Sequence, residues 1–440
     1  MKRYGLVFAS TLCGLLAAIS AAQARQELKG NLLAIKAGRV IDVKAGSAVE
    51  NQVIIVEGER IKSIGTNLPI QDGVQVIDLS GATVMPGMID SHTHLLQNYD
   101  GSLGGDDSNM ILTVTQMSAA KRALLGAAMG REDLEAGITT VRDLGNSGLN
   151  GDVALRDAIN NGWVTGPRMV VSTRALSAAG GQFGTLQAET QKIIEQEYVV
   201  ISGVEEARRA VRQAIYDGAD CIKVIVDTWP RLVSLEEMKV IVEEAHRVSK
   251  KVAAHAVMDQ AIRIAAEAGV DSVEHGYAGS DSSFKLMAEK KVFLVPTDGA
   301  LDDYFSIFGQ RIASEEEKKQ RRAQMEFGLK QLQSRIARAV KAGVRIAAGS
   351  DMYYAMPGKT RGQASLTMLR AYADSGMPSI EIIRAATINA AELLGWQTLI
   401  GSIEAGKFAD IIAVDGDPLK DVGELQRVRF VMKGGKVIKQ

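Results

Sequence analysis

The sequence predicts an α/β fold: a (β/α)8 TIM barrel joined to a small β-sandwich domain built from both termini. Three observations carry this. The middle of the chain alternates helix-period and strand-type segments, the pattern of a parallel sheet. The two ends share a texture of short alternating strands separated by glycine turns. A length of 440 residues accommodates one such barrel with a small attached domain.

The element pattern runs as follows. Residues 25–85 contain short strands at Leu32-Leu33-Ala34-Ile35, Val53-Ile54-Ile55-Val56, Ile61-Lys62-Ser63-Ile64 and Val74-Gln75-Val76-Ile77, with turns at Glu57-Gly58 and Asp72-Gly73. Residues 400–440 repeat that texture, from Ala409 to Val414, Val428 to Met432 and Lys436 to Ile438. Between them, residues 86–399 form the barrel. A helix from Ser202 to Tyr216 leads into a strand from Asp220 to Val226. The capping box Ser234-Leu235-Glu236-Glu237 opens a helix that leads into Val252 to Ala256. Ala261 to Ala268 precedes Ser272 to Glu274, and Phe284 to Lys290 precedes Val292 to Pro296. Arg321 to Lys341, within a long charged stretch from Glu315 read as a solvated barrel helix, precedes a strand from Val344 to Ala348.

Bulk properties exclude several functions. Hydrophobic residues make up 46% and charged residues 23%, as in soluble globular proteins, and the formal net charge is −1. That balance carries no electrostatic footprint for nucleic acid. Met1-Lys2-Arg3, an apolar run from Tyr4 to Ile19 and the small-x-small site Ala22-Gln23-Ala24 read as a signal peptide over residues 1–24. The expected mature chain starts near Arg25, is exported to the periplasm and keeps no membrane attachment. Cys221 is then its sole cysteine, expected as a buried strand residue without a disulfide.

Four of the five histidines follow apolar strand-type runs: His92 and His94 in Asp90-Ser91-His92-Thr93-His94, His255 in Ala253-Ala254-His255, and His275 in Val273-Glu274-His275. His92 and His94 are two apart, so on a strand their rings share a face. Imidazole in this number is a ligand set for Zn²⁺ or a related ion. Asp351, in Gly349-Ser350-Asp351, ends another strand-type run. His94, Lys223, His255, His275 and Asp351 all lie at or near the C-terminal end of a predicted strand, where barrels of this type place their chemistry. His246 falls on a helix and is expected at the surface. Lys223, flanked by Ile222 and Val224, faces a large desolvation cost if charged. Three readings are open for it: a neutral amine acting as base or Schiff-base former, a CO₂-derived carbamate bridging two metal ions, or an amine snorkelling to the barrel mouth.

Pro86-Gly87-Met88-Ile89-Asp90-Ser91-His92-Thr93-His94, the strand lysine, the later histidines and Gly349-Ser350-Asp351 together resemble the amidohydrolase superfamily. Gly401-Ser402-Ile403-Glu404-Ala405-Gly406-Lys407-Phe408-Ala409-Asp410 resembles that family's return into its β-domain. Ala136-Gly137-Ile138-Thr139-Thr140-Val141-Arg142-Asp143 and Gly166-Pro167-Arg168 resemble its imidazolonepropionase-like and Xaa-Pro dipeptidase-like branch, which includes ochratoxin-degrading amidohydrolases. The resemblance implies two divalent ions, expected as Zn²⁺. His92, His94 and Asp351 would hold one, His255 and His275 the other, and carboxylated Lys223 both. It also implies hydrolysis of an amide or peptide bond to a C-terminal amino acid, in a dipeptide, an N-acyl-amino acid or an ochratoxin-type N-aroyl-phenylalanine. In that chemistry Asp351 accepts a proton from the attacking water and passes it to the departing nitrogen.

The chain departs from the branch at Gly180-Gly181-Gln182-Phe183-Gly184 and Asp227-Thr228-Trp229-Pro230-Arg231. Gln182, Phe183 and Trp229 are accordingly candidates for the pocket lining, and Arg231 for a substrate carboxylate. Tyr353, Tyr354 and Met356, just beyond Asp351, are candidates on a mouth loop. The rival readings are a cyclic amide or lactone hydrolase or deaminase on the same scaffold, and a periplasmic metal- or solute-binding protein. Lys223 disfavours the deaminase and Asp351 the binder. The expected partners are a small-molecule or dipeptide substrate and further copies of the chain in a homo-oligomer.

Overall fold

A computed structural model describes residues 32–309, 312 and 314–440. The signal segment 1–24 and the expected mature start at Arg25 lie outside the described residues. Among the described residues no helix is long and apolar enough to cross a membrane.

Strands from the two ends of the chain make one seven-stranded sheet. Its order is Lys436–Lys439, Phe430–Lys433, Ile411–Val414, Gln75–Pro86, Leu32–Asp42, Ser47–Glu57 and Arg60–Thr66. The join is the antiparallel pairing of Ile411–Val414 with Gln75–Pro86, from Ile411 opposite Pro86 to Val414 opposite Thr83. The sheet curls until its far edge returns to the C-terminal segment, with Arg60 bridging Phe408 and the Ile61 amide donating to the Lys407 carbonyl at 2.9 Å. Ile35, Ile54, Val56, Val84, Ile411, Phe430 and Met432 fill its core.

The middle of the chain is the (β/α)8 barrel. Its strands are Met88–Thr93, Ile138–Asp143, Arg168–Val171, Cys221–Ile225, Lys251–Ala256, Ser272–His275 and Phe293–Val295, with residues 346–348 in the eighth position. Two ladders hold most of the ring, 88–93 to 168–171 and 221–225 to 293–295. Isolated backbone hydrogen bonds cross the gaps. The Asp220 amide donates to Val171 (2.7 Å) and the Ser91 amide to Ala348 (2.7 Å). The segment expected as a strand from Val344 to Ala348 is therefore only a bridge, Leu294 to Ile346. Its amides are divided: Ala347 donates to Leu294 and Ala348 to Ala385, so no regular ladder forms. Strands buried on both faces show no apolar–polar alternation, which is why Ile138–Asp143 gave no periodic signal.

Helices cover the outside. Val204–Tyr216 lays Ala207, Ala210, Val211 and Ala214 on the sheet, and the capping box at Ser234 forms as expected. The long helix Glu315–Lys341 buries only Gln333, Arg335, Ile336 and Ala339, all in its C-terminal part. Cys221 is buried, and burial pushes its thiol up to about 12.

Candidate active site

Six side chains predicted from sequence meet at the C-terminal mouth of the barrel. His92 lies in the first barrel strand and His94 immediately follows it, their ring centroids 5.3 Å apart. Lys223 sits mid-strand, only 2% exposed, opposite Ala253 and two residues before the pair Ile225–His255. His275 ends its strand with a left-handed backbone (φ 70°), its ring 4.5 Å from that of His255 and 5.2 Å from that of His92. Asp351, also left-handed (φ 49°), donates its amide to the His92 carbonyl at 2.7 Å. One Asp351 oxygen stands 3.2 Å from His94 Nε2 and 3.4 Å from His92 Nε2. The ligand atoms of His92, His275 and Asp351 all lie within 4.8 Å of one another, a group able to hold a metal ion.

The hydrogen bonds fix which ring nitrogens face inward. His94 Nδ1 meets the Gly145 carbonyl at 2.8 Å, an acceptor only, so it donates there. His92 Nδ1 meets the Glu274 carboxylate at 2.7 Å. His275 Nδ1 meets Thr297 Oγ1 at 2.8 Å, and that hydroxyl already donates to the Pro296 carbonyl at 2.6 Å. His275 lies with Nδ1 3.8 Å from the Asp351 carboxylate, while His92 and His94 in their neutral form turn Nε2 lone pairs toward it. Acceptor faces acceptor, an arrangement that a cation between them relieves.

Burial sets the charge states. It holds His92 and His275 well below the ordinary histidine range and lowers His255 to about 3, with the Lys223 charge adding to the effect. These rings are neutral at neutral pH, the form that ligates. Burial also lowers Lys223 to about 8, which leaves a sizeable fraction of free amine. For Asp351, burial pushes upward, but His92, His94 and Lys223 outweigh it and the carboxyl ends below its usual value.

Outer residues hold these groups in place. Glu274, fully buried, accepts from His92, from Arg142 Nη2 (2.9 Å) and from the Ser272 hydroxyl. Arg142 also donates to the Ser91 carbonyl (2.6 Å). Asp90 accepts from the Ser350 amide (2.9 Å) and hydroxyl (2.6 Å), tying the Asp351 turn to the His92 strand. Sequence reasoning missed Glu274, Arg142 and Asp90 as site residues. Each adjoins or lies within a quoted motif, but pairing between distant strands leaves no local signature.

A cavity of about 880 Å³ opens over the cluster. Gln182, Trp229, Tyr353, Tyr354 and Met356, the candidates from sequence, line it. Asp106 does too, accepting from Tyr354 (2.6 Å) and Tyr353 (3.3 Å). Phe183 and Arg231 do not. The Phe183 ring is fully buried, edge-on to Tyr198 with centroids 5.9 Å apart. Arg231 spends its guanidinium on the carbonyls of Ala179 and Phe183, both at 2.8 Å, so it braces the turn that carries Gln182 instead of facing a substrate carboxylate. His246 is exposed, as expected, and meets Asp271 at 2.8 Å.

Comparison with known proteins agrees with this geometry. Residues 83–438 match the model of the Amidohydrolase family. The chain is 32% identical over 427 residues to an ochratoxinase of Aspergillus niger, covering 90% of this chain and 84% of that protein. It is 25% identical over 400 residues to an imidazolonepropionase of Fusobacterium nucleatum, covering 83% and 85%. A crystal structure of a prolidase complexed with N-methylphosphonate-L-proline superposes with a TM-score of 0.80 at 29% identity, covering 93% of this chain and 100% of that one. The chain belongs to the amidohydrolase family and is a hydrolase acting on amide bonds.

Proposed function

We propose that this chain is a binuclear metal-dependent amidohydrolase that cleaves the amide or peptide bond to a C-terminal amino acid, in dipeptides or N-acyl-amino acids. An ochratoxin-type N-aroyl-phenylalanine falls within that class. The observation that carries the metal reading is the set of inward Nε2 lone pairs facing the Asp351 carboxylate. The similarity to an ochratoxinase and a prolidase supports the substrate class.

In this reading His92, His94 and Asp351 would hold one ion, His255 and His275 would hold the other, and Lys223, as its carbamate, would serve both. Imidazole-rich donors with one carboxylate suit Zn²⁺. When bound, divalent ions acidify water and polarise a carbonyl oxygen. The side chains do the rest. The neutral Lys223 amine can attack CO₂, forming an N–C bond and releasing one proton to solvent, and the buried carbamate anion would be compensated by the divalent ions it helps to hold. Asp351, ionised and central among the rings, takes a proton from the attacking water and returns it to the departing nitrogen. Tyr353, Tyr354, Met356 and Trp229 supply an apolar wall for the acyl or side-chain group. We also propose that the chain is exported to the periplasm and assembles as a homo-oligomer.

The test is metal analysis of the purified protein combined with a panel of N-acyl-amino acids and dipeptides varied at the C-terminal residue. Two divalent ions per chain and chelator-sensitive turnover of that panel are expected. Full activity without metal would sink the mechanism, and hydrolysis confined to lactams or lactones would replace the substrate class.

A further inference from the structure

Arg335 is fully buried, although it belongs to a helix that is mostly exposed along its length. Its guanidinium reaches the back of the site and donates to two backbone carbonyls there, His275 through Nε at 3.0 Å and Pro296 through Nη2 at 2.7 Å. Nη1 is held by Asp298 (3.1 Å) and by the Leu332 carbonyl (2.8 Å), and the carbon of the group lies 4.7 Å over the Tyr277 ring.

The two carbonyls mark unusual backbone. His275 has φ 70° and Thr297, directly after Pro296, has φ 62°. Left-handed conformations are disfavoured for a histidine and a β-branched threonine, and they persist only where the surroundings enforce them. These same two residues share the 2.8 Å bond that fixes the His275 ring through Nδ1, and the Tyr277 hydroxyl joins them at 3.2 Å from Thr297 Oγ1. A planar fork that meets both strand ends at once suits this task, and one ammonium cannot reproduce its spread of donors.

We propose that Arg335 is a positioning residue of the site: it clamps the ends of the sixth and seventh barrel strands and so holds the His275 ring where it can meet a bound cation. This rests on the reading of His275 as a metal ligand. It assigns the long helix a part in the chemistry, since the helix delivers the clamp from outside the barrel.

The experiment loads the full-length protein and its Arg335→Met and Arg335→Lys variants with Co²⁺, following affinity by chelator competition and ligand geometry by the visible spectrum. Arg338→Met, an exposed neighbour paired with Asp281, serves as control. Arg335→Met should bind Co²⁺ about 10–100-fold more weakly, the range for loss of a residue that orients a ligand, with an altered spectrum. Arg335→Lys should fall between it and the parent, and the control should match the parent. For the lysine variant kcat should drop while KM stays near the parent value. Parental Co²⁺ affinity and spectrum in either Arg335 variant would overturn the clamp while leaving the metal reading intact. If Arg335→Met does not fold, the lysine variant alone decides. A parent protein that takes up no Co²⁺ overturns the metal reading, and the clamp with it.

Discussion

Nδ1 of His92 and Oε2 of Glu274 lie 2.7 Å apart across the barrel, joining the first strand to the sixth. Glu274 is completely buried and is also bound by Arg142, so one carboxylate oxygen meets a guanidinium and the other the His92 ring. The carboxylate fixes the ring orientation and makes Nε2 more basic. Glu274→Gln should weaken metal affinity by about 10–100-fold, measured by chelator competition. It should also lower the melting temperature, because Arg142 loses its charged partner. Parental metal affinity in that variant would show that the pair serves stability alone.

Asp351→Asn keeps size and shape while removing the base. Turnover should fall by about 10²–10⁴-fold with little change in KM, the range for loss of a general base. The variant should still retain at least one metal ion, held by the remaining ligands. An active Asp351→Asn enzyme would move the proton transfer to another group.

If Lys223 carries the proposed carbamate, metal loading is expected to depend on pH. Burial brings its amine to about 8, so it is mostly protonated below that value and mostly neutral above it. Only the neutral amine reacts with CO₂. At fixed dissolved CO₂, the reactivation rate of metal-stripped protein should rise with pH, reach half its maximum near 8 and level off above. A rate flat from about pH 6.5 to 9, spanning the range over which a group of this kind titrates, would remove the carbamate from the mechanism. Lys223→Ala should lose metal and activity together.

Arg231→Met tests the reassignment of that side chain. The guanidinium holds Ala179 and Phe183 carbonyls, and loss of such bonds costs about 1–3 kcal/mol when the acceptors stay unpaired. A lower melting temperature is expected, with no selective loss of substrates bearing a free carboxylate. A defect confined to those substrates in steady-state kinetics would restore Arg231 as a substrate contact.

The convergence of these side chains was legible because strand-end histidines stand out and because His92 and His94 keep strand spacing. Asp351 was legible from its motif, yet the run before it is not a regular strand, since its amides serve two neighbours. Glu274 was hidden for a different reason. It stands in sequence beside His275 but bonds His92, and nothing local distinguishes it from a packed strand residue. The pocket was read half correctly. Tyr353 and Tyr354 follow a known strand end and do face the cavity, whereas the orientation of Phe183 and Arg231 depends on a turn that periodicity does not describe.

The curled sheet has a further consequence for biosynthesis. Its inner strand Gln75–Pro86 runs on directly toward the strand bearing His92, while its neighbour Ile411–Val414 is made only after the whole barrel segment between them. A ribosome-bound chain can complete much of the barrel while one edge of that strand waits uncovered. Pairings between distant segments also form slowly. The newly made polypeptide therefore carries a temporary sticky edge of apolar residues beside its future catalytic centre, the stretch where a chaperone has most to protect.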